Sequence, residues 1–274
     1  MTLRRIFFGC KITEIYTNGK LNREGKFFLL RTDKRKSDEM RKVFLQRRFQ
    51  LYPAGSAIIE VGNTKVVCAA TVEESVPFFL KGTGTGWLTA EYSLLPGATK
   101  IRAKREVKSV SGRTAEIQRL IGRALRTVTD LSALGERTIK IDCDVLQADG
   151  GTRTASVTGA FVALVEACET IYEPGGIFPV KDFVAAISAG ISESGEKILD
   201  LNFAEDSSAL ADCNVVMTGA GELVEVQITG EKKSFTRQDL NEILDLTEKG
   251  IEELISLQKD ALGRDLVWRV GRVG

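Results

Sequence analysis

Residues 137–171 read RTIKIDCDVLQADGGTRTASVTGAFVALVEACETI and join two segments of different period. Apolar and polar residues alternate over 137–148, which predicts a β-strand. Over 155–171, apolar residues would occupy all sides of a helix, which predicts that this helix is central and buried. The GGTR turn, 150–153, connects the two segments. The sequence therefore predicts a strand, a glycine turn and a core helix in immediate succession.

Further strands and a helix precede this unit. Residues 55–74 have β-branched runs on either side of Gly62 and Asn63, which indicates a hairpin. The segment 86–95 has the pattern of another strand. From Arg113 the period becomes that of an amphipathic helix. Its apolar stripe consists of Ile117, Leu120, Ile121, Ala124, Leu125 and Val128.

The second half of the chain repeats the same kinds of element. Residues 236–262 have the period of a long amphipathic helix, and Thr236 with Asp239 resembles a capping box at its start. Hairpins followed by helices, twice over, predict a two-layer α+β fold in which helices pack on mixed β-sheets. The strands predicted for the two hairpins of this half are 183–192, 197–204, 213–219 and 222–229.

Composition excludes several kinds of catalytic site. The chain has no histidine, which removes Ser-His-Asp catalysis, Cys-His catalysis and histidine-ligated zinc. Lys and Arg number 38 against 37 Asp and Glu, so any affinity for nucleic acid depends on where the charges lie. Five cysteines without a CxxC pair indicate reduced thiols packed as small apolar side chains. Because no segment approaches the roughly 18 apolar residues of a membrane span, we expect a soluble cytoplasmic protein that contacts no membrane.

The GGTR turn is a candidate anion site. Glycine lets the backbone approach a ligand, and the start of a helix offers unpaired N–H groups at the positive end of its dipole. Arg153 adds donors that match phosphate oxygens, and Thr152 adds a hydroxyl group. The alternative is an ordinary strand-to-helix turn with an exposed arginine.

A basic run precedes the first amphipathic helix. Between residues 100 and 113 it contains a single acid, Glu106. Such a loop can follow the sugar-phosphate backbone of RNA, and a solvated surface loop is the alternative. Arg113 differs from its neighbours because it lies at the start of the helix, where it can reach a bound anion. The candidate RNA-binding residues are Lys100, Arg102, Lys104, Arg105 and Lys108.

Asp206 and Asp212 are candidates for a metal site. A Ser-Ser-Ala segment separates them. If the segments 197–204 and 213–219 are adjacent strands, their connection brings both carboxylates to the same end of a sheet. Mg²⁺ takes one or two carboxylates together with substrate phosphates. Solvent-exposed acids flanking a turn are the alternative.

From Arg31 to Leu262 the sequence resembles the bacterial ribonuclease PH family of phosphate-dependent 3′ exoribonucleases. The likeness implies the ribonuclease PH fold (ribosomal protein S5 domain 2-like) with a duplicated βαβα organisation. We expect residues 1–30 to be an N-terminal extension or the product of an upstream start codon, before a single catalytic domain, 31–274. The motifs that carry the resemblance are VEESVPFFLKGTGTGWLTAEYSLLP, SGRTAEIQRLIGRALR, IDCDVLQADGGTRTASVTGA, EDSSALADCNVVMTG and ELVEVQ.

The resemblance also implies an activity and an assembly. Family members remove nucleotides downstream of the CCA end of transfer RNA precursors, use inorganic phosphate as co-substrate and release nucleoside diphosphates; the reverse addition is possible. Asp206 and Asp212 are implied to be catalytic and to bind Mg²⁺ or Mn²⁺. A homohexamer built as a trimer of dimers is implied. The residues implied to bind the attacking phosphate are Arg113, Gly151, Thr152 and Arg153.

The sequence departs from the family pattern at four places. Gly97 stands where arginine is usual, and Lys100 replaces histidine. Lys34 replaces a glycine, and the ITGE segment, 228–231, replaces Gly-Thr-Ala-Glu. None of the residues assigned to phosphate or metal is changed.

Three other functions compete with this interpretation. A ring subunit that binds RNA without cutting it would lack a pocket arginine or an aspartate, and here all are present. A polynucleotide phosphorylase carries a second core copy, and lysine where Asn214 stands. Hydrolysis by a metal alone leaves the GGTR turn without a role.

Overall fold

The computed structural model divides the chain into two compact units, Met1–Lys36 and Ser37–Gly274. In the first unit, β1 (Gly19–Leu21) pairs antiparallel with β2 (Phe27–Leu29). The predicted boundary between an extension and a single catalytic domain stays a prediction. The structure describes residues 19–21, 27–29, 31, 33–107 and 109–271, with side chains only from residue 31 onward.

The second unit contains a five-stranded mixed sheet. Its strands lie in the order β3-β4-β5-β7-β6, with β6 parallel to β7 and the other pairs antiparallel. The predicted hairpin is confirmed, because Gly62 and Asn63 form the two-residue turn between β4 and β5. The strands are β3 (Val43–Arg47), β4 (Gly55–Val61), β5 (Thr64–Glu73), β6 (Trp87–Leu94) and β7 (Thr138–Gln147).

A four-stranded antiparallel sheet forms the other half of this unit. Its order is β11-β10-β8-β9, so the predicted pairs β8–β9 and β10–β11 are confirmed. The expectation that β9 and β10 are adjacent is wrong, because the fully buried strand β8 lies between them. The strands are β8 (Val184–Ile191), β9 (Lys197–Leu199), β10 (Ala211–Thr218) and β11 (Leu223–Thr229).

The segment predicted as a strand through residue 204 ends early and becomes a helix. Asp200 takes a left-handed conformation, with φ of +52°, directly after β9. Asn202 then caps α3 (Phe203–Ser208) in a reciprocal capping box with Glu205. The two local hydrogen bonds of this box stabilise a helix start where the apolar pattern favoured a strand.

The helices pack on both sheets. The central helix α2 is buried along most of its length and contacts β4 and β5 of one sheet and β8 of the other. Helix α1 packs on β6, and α4 packs on β8 and β9. The predicted capping box of α4 is confirmed. The remaining helices are α1 (Gly112–Thr127), α2 (Thr152–Ile171), α4 (Arg237–Leu266) and the 3₁₀ helices Phe78–Leu80 and Val267–Arg269.

The expectation that no segment approaches the apolar length of a membrane span is wrong for helix α2. Thr152–Ile171 has the length and apolar composition of a span. Most of this helix is buried between the two sheets, as in the core helix of a globular protein. Among the described residues no other helix meets the same two criteria.

The described cysteines are free and buried, in agreement with the role that composition predicted. Burial raises the pKa of Cys213 to about 12, which disfavours the thiolate near neutral pH. These thiols therefore pack as small apolar side chains. They are Cys68, Cys143, Cys168 and Cys213.

A buried ion pair between Arg41 and Asp200 holds the GGTR turn in place. The backbone N–H and Nε of Arg41 both donate to Asp200 Oδ2 at 2.8 Å, and Nη2 donates to Oδ1 at 2.6 Å. The same guanidinium donates through Nη1 to the carbonyl oxygen of Asp149 at 2.5 Å. The hydroxyl of Thr64 donates to the carbonyl oxygen of Gly150 at 2.7 Å. Arg41, which lies just before the first sheet, and Thr64 of β5 thus bind the backbone of Asp149 and Gly150 where the turn begins.

The ion pair also joins the two sheets. Arg41 lies two residues before β3, and Asp200 directly follows β9 of the other sheet. Burial alone would lower the pKa of Arg41, but hydrogen bonds and charge from Asp200 outweigh it and raise this pKa. The guanidinium therefore stays charged, and its loss would remove two charge-assisted hydrogen bonds from the buried Asp200 carboxylate.

We expect Arg41→Met to lower the free energy of unfolding by about 3–5 kcal/mol, the range for breaking a buried ion pair. Denaturant titration at fixed protein concentration measures this change. Lys42→Met removes a positive charge from the neighbouring exposed residue and should change stability by less than about 0.5 kcal/mol. Equal effects of the two substitutions would contradict the structural role of the pair.

Candidate active site

The GGTR turn begins α2 with two glycines in left-handed conformations. Gly150 and Gly151 have φ of +81° and +66°, values that favour glycine. A Cβ on Gly150 would lie 2.5 Å from the carbonyl oxygen of Leu201, so glycine allows the turn to pack against the segment before α3. Gly151 is the N-cap of α2, and its lack of a side chain leaves this end uncapped. The first N–H groups of α2 can therefore bind an anion.

Arg113 lies in the first turn of α1, as the sequence predicted. Ser111 caps this helix, because its Oγ accepts the N–H of Thr114 at 3.2 Å. The Arg113 side chain is exposed. It interacts electrostatically with Tyr92 and Asp206, which places it beside the other candidate residues.

Arg153 lies in the first turn of α2, with 14% of its side chain exposed. Its Nη1 donates to Gln227 Oε1 at 2.7 Å and lies 3.7 Å from Glu116 Oε1. Like Arg113, it interacts electrostatically with Asp206. Two guanidinium groups from two helix starts therefore act on the same carboxylate.

The two candidate acids meet although their strands are not adjacent. Asp206 lies in α3 and Asp212 near the start of β10. Burial and then the charge of Asp212 raise the pKa of Asp206, whereas Arg113 and Arg153 act in the opposite direction. Asp206 is exposed as a residue, so its carboxylate lies at an open surface and is only partly dehydrated by its surroundings. The structure thus brings both acids and both arginines into one site.

The acid pair can contribute to a divalent cation site. Asp212 Oδ1 is buried and has no hydrogen-bond partner among the described residues. Burying an oxygen without a partner costs free energy unless a cation or a hydrogen-bond donor binds it. Within the described ranges, no group of three or more Cys, Asp or Glu side chains is arranged to hold an ion. Two carboxylates fit Mg²⁺ or Mn²⁺ when substrate oxygens complete the coordination.

Tyr92 is a site residue that the sequence reasoning missed. It is 3% exposed, and its hydroxyl oxygen lies 2.8 Å from Thr152 Oγ1. Burial raises the pKa of Tyr92, so the phenol stays protonated and can donate to Thr152. The Thr152 hydroxyl can then donate to an anion. The alternation of β6, in which Leu88, Ala90 and Tyr92 are buried, was the signal that could have identified an inward-facing hydroxyl.

The described residues of the basic run that precede α1, 100–107 and 109–111, have no regular secondary structure. An added Cβ on Gly97 would meet open space, so packing does not require glycine there. The charge of Arg105 opposes the rise in the pKa of Asp144 that burial causes. Lys108 lies outside the described residues. The other four candidates are exposed: Lys100, Arg102, Lys104 and Arg105.

Comparison with known proteins decides the family. Residues 39–168 match domain 1 of the 3′ exoribonuclease family, and residues 182–250 match domain 2. The chain belongs to the 3′ exoribonuclease family. It is 58% identical over 247 residues to Ribonuclease PH of Moorella thermoacetica, covering 89% of this chain and 98% of that protein. Ribonuclease PH of Bacillus cereus is 57% identical over 238 residues, covering 85% and 97%.

Solved structures of similar proteins share the fold. Rice (Oryza sativa) Rrp46 has a TM-score of 0.71 at 18% identity and covers 85% of this chain and 99% of its own. The Archaeoglobus fulgidus exosome with RNA bound to the active site also gives 0.71, at 22% identity, with coverage of 82% and 91%. The α+β fold of the 3′ exoribonuclease family, predicted from the sequence, is therefore confirmed.

We expect Asp206→Asn to stabilise the protein slightly at pH 7. The pKa of Asp206 is raised in the folded protein. The residue therefore favours folding when the pH is below its unfolded pKa of 3.8, and this contribution is lost as the pH rises through the folded pKa. Removing the charge should therefore raise the free energy of unfolding by a few tenths of a kcal/mol, a small gain because the residue is exposed. The gain should disappear below the unfolded pKa.

Denaturant titrations at several pH values measure this difference. Asp245→Asn, at an exposed acid of α4 outside the site, is the matched control and should not raise the free energy of unfolding at pH 7. A variant at residue 206 that is less stable than the parent protein at pH 7 would contradict the proximity of the two acids.

Proposed function

We propose that the protein is a phosphorolytic 3′-to-5′ exoribonuclease that trims transfer RNA precursors and other RNA 3′ ends. The observation that carries this proposal is the meeting of Arg113, Arg153, Asp206 and Asp212 in one site. The high identity to relatives named Ribonuclease PH supports the same activity. The arginines can bind one phosphate, and a cation held by the neighbouring acids can act on a second. This arrangement suits a reaction between two phosphates.

Inorganic phosphate is the proposed nucleophile. Arg113 and Arg153 bind its oxygens, together with the Thr152 hydroxyl and the N–H groups that follow Gly151. A phosphate oxygen forms a bond to the phosphorus of the last phosphodiester as the bond from that phosphorus to the 3′ oxygen breaks. The 3′ oxygen takes up the proton that the attacking hydrogen phosphate carried, and a nucleoside diphosphate leaves. Because phosphate is already anionic near neutral pH, no histidine base is needed.

Asp206 and Asp212 are the residues that would hold Mg²⁺ or Mn²⁺. When bound, such an ion offsets negative charge at the scissile phosphate. The arginines act on the attacking phosphate by fixing its position and reducing charge repulsion between the two anions. In this proposal the two sets of charged residues act on opposite sides of one reacting phosphorus.

The basic run is proposed to guide RNA toward this site. Its exposed lysines and arginines lie in the connection that leads directly to Arg113, so an RNA backbone bound there continues toward the phosphate pocket. We also propose that copies of the chain assemble into a homohexamer, a trimer of dimers. The likeness to exosome structures supports a subunit fold suited to rings.

A tailed transfer RNA incubated with Mg²⁺, with and without inorganic phosphate, tests the activity. We expect shortening only with phosphate and release of nucleoside diphosphates. Release of nucleoside monophosphates without phosphate would contradict phosphorolysis.

Variants of the same protein test the site. Arg113→Ala and Arg153→Ala should each raise the KM for phosphate by about tenfold or more, because each removes a charged donor. Asp206→Ala and Asp212→Ala should abolish turnover while RNA binding persists. Arg237→Ala, an exposed arginine at the start of α4, is the control and should retain full activity. Normal activity in all four site variants would overturn the assignment.

A further inference from the structure

Gln227 links three elements through one side-chain amide. Its Oε1 accepts from Arg153 Nη1 at 2.7 Å, and its Nε2 donates to Glu116 Oε1 at 2.6 Å. Gln227 lies on β11, Arg153 on α2 and Glu116 on α1. A guanidinium can only donate and a carboxylate can only accept, so one orientation of the amide satisfies both partners.

This arrangement leaves part of the arginine available. Nη1 of Arg153 is engaged by Gln227, whereas no hydrogen bond of its Nε or Nη2 is formed with another described residue. The side chain is 14% exposed, so most of it is covered, and Gln227 is the hydrogen-bond partner that holds its Nη1. Glu116 is half exposed and lies 3.7 Å from Nη1, which is beyond a good hydrogen bond. The amide therefore stands between the two opposite charges.

We propose that Gln227 is a positioning residue that directs the Arg153 guanidinium toward inorganic phosphate, and that Glu116 weakens phosphate binding through its charge. The inference rests on the proposed function, because it assigns Arg153 to the phosphate pocket. Glu116 anchors the amide through Nε2 and, as an anion near the guanidinium, competes electrostatically with phosphate. The two residues thus have opposite effects on phosphate affinity.

Substitutions at Gln227 test the positioning role in the full-length enzyme. Gln227→Leu replaces the amide with an apolar side chain of comparable size and removes both hydrogen bonds. We expect it to raise the KM for phosphate about tenfold, with the KM for RNA and the kcat at saturating phosphate close to those of the parent enzyme. Gln227→Glu should raise the KM for phosphate further, because its carboxylate binds Arg153 directly.

Glu116→Gln separates positioning from a merely structural role. The new amide oxygen still accepts from Gln227 Nε2, while the competing charge is removed. We expect the KM for phosphate to fall about twofold to fivefold, a modest change because Glu116 is half exposed. General damage to the fold would raise the KM for phosphate, so an increase in this variant would contradict the inference.

Glu225→Gln is the matched control. Glu225 lies on the same strand as Gln227 and pairs with Arg123 of α1. It therefore links β11 to α1, as Gln227 does, but without a hydrogen bond to Arg153. Its KM for phosphate should not change. If the parent enzyme needs no phosphate, the proposed function fails; if it needs phosphate but Gln227→Leu leaves the KM for phosphate unchanged, only the positioning inference is overturned.

Discussion

The buried ion pair of Arg41 and Asp200 is the interaction on which the site depends. Arg41 binds the carbonyl oxygens of Asp149 and Gly150 where the GGTR turn begins, and Asp200 lies shortly before α3. Gly150 packs against that segment without room for a side chain. One guanidinium thus fixes the distance between the helix start that offers N–H groups to an anion and the helix that carries Asp206.

The site concentrates charges that the folded protein alone does not neutralise. Dehydration and then the charge of the neighbouring Asp212 raise the pKa of Asp206. Arg113 and Arg153 act on the same carboxylate with the opposite sign, and Asp212 Oδ1 is buried without a partner. A phosphate bound between the arginines and a cation bound to the acids would neutralise these charges. Such unpaired charge costs stability and is typical of functional sites.

Local pattern predicted most of the elements and little of the site. Alternation identified β7, β-branched runs around a turn identified β4 and β5, and the 3.6-residue period identified α1 and α4. The continuous apolar composition of α2 identified it as a core helix, whereas β3 was not predicted. The same reasoning failed at Asp200, where a left-handed residue and the Asn202 capping box end a strand that apolar residues favoured. Arg41, Tyr92 and Gln227 were missed because their partners lie on distant segments. The residues alone left the GGTR turn and the acid pair ambiguous, and only the family resemblance joined them into one reaction.

Anomalous diffraction from a crystal soaked with selenate and Mn²⁺ tests the central claim most directly, since selenate has the shape and charge of phosphate. The account predicts a selenium peak between Arg113 and Arg153 at the start of α2, and a manganese peak beside Asp206 and Asp212. The two peaks should be close enough for one phosphodiester to lie between them. Peaks in separate regions of the surface, or an anion bound away from the GGTR turn, would contradict the account.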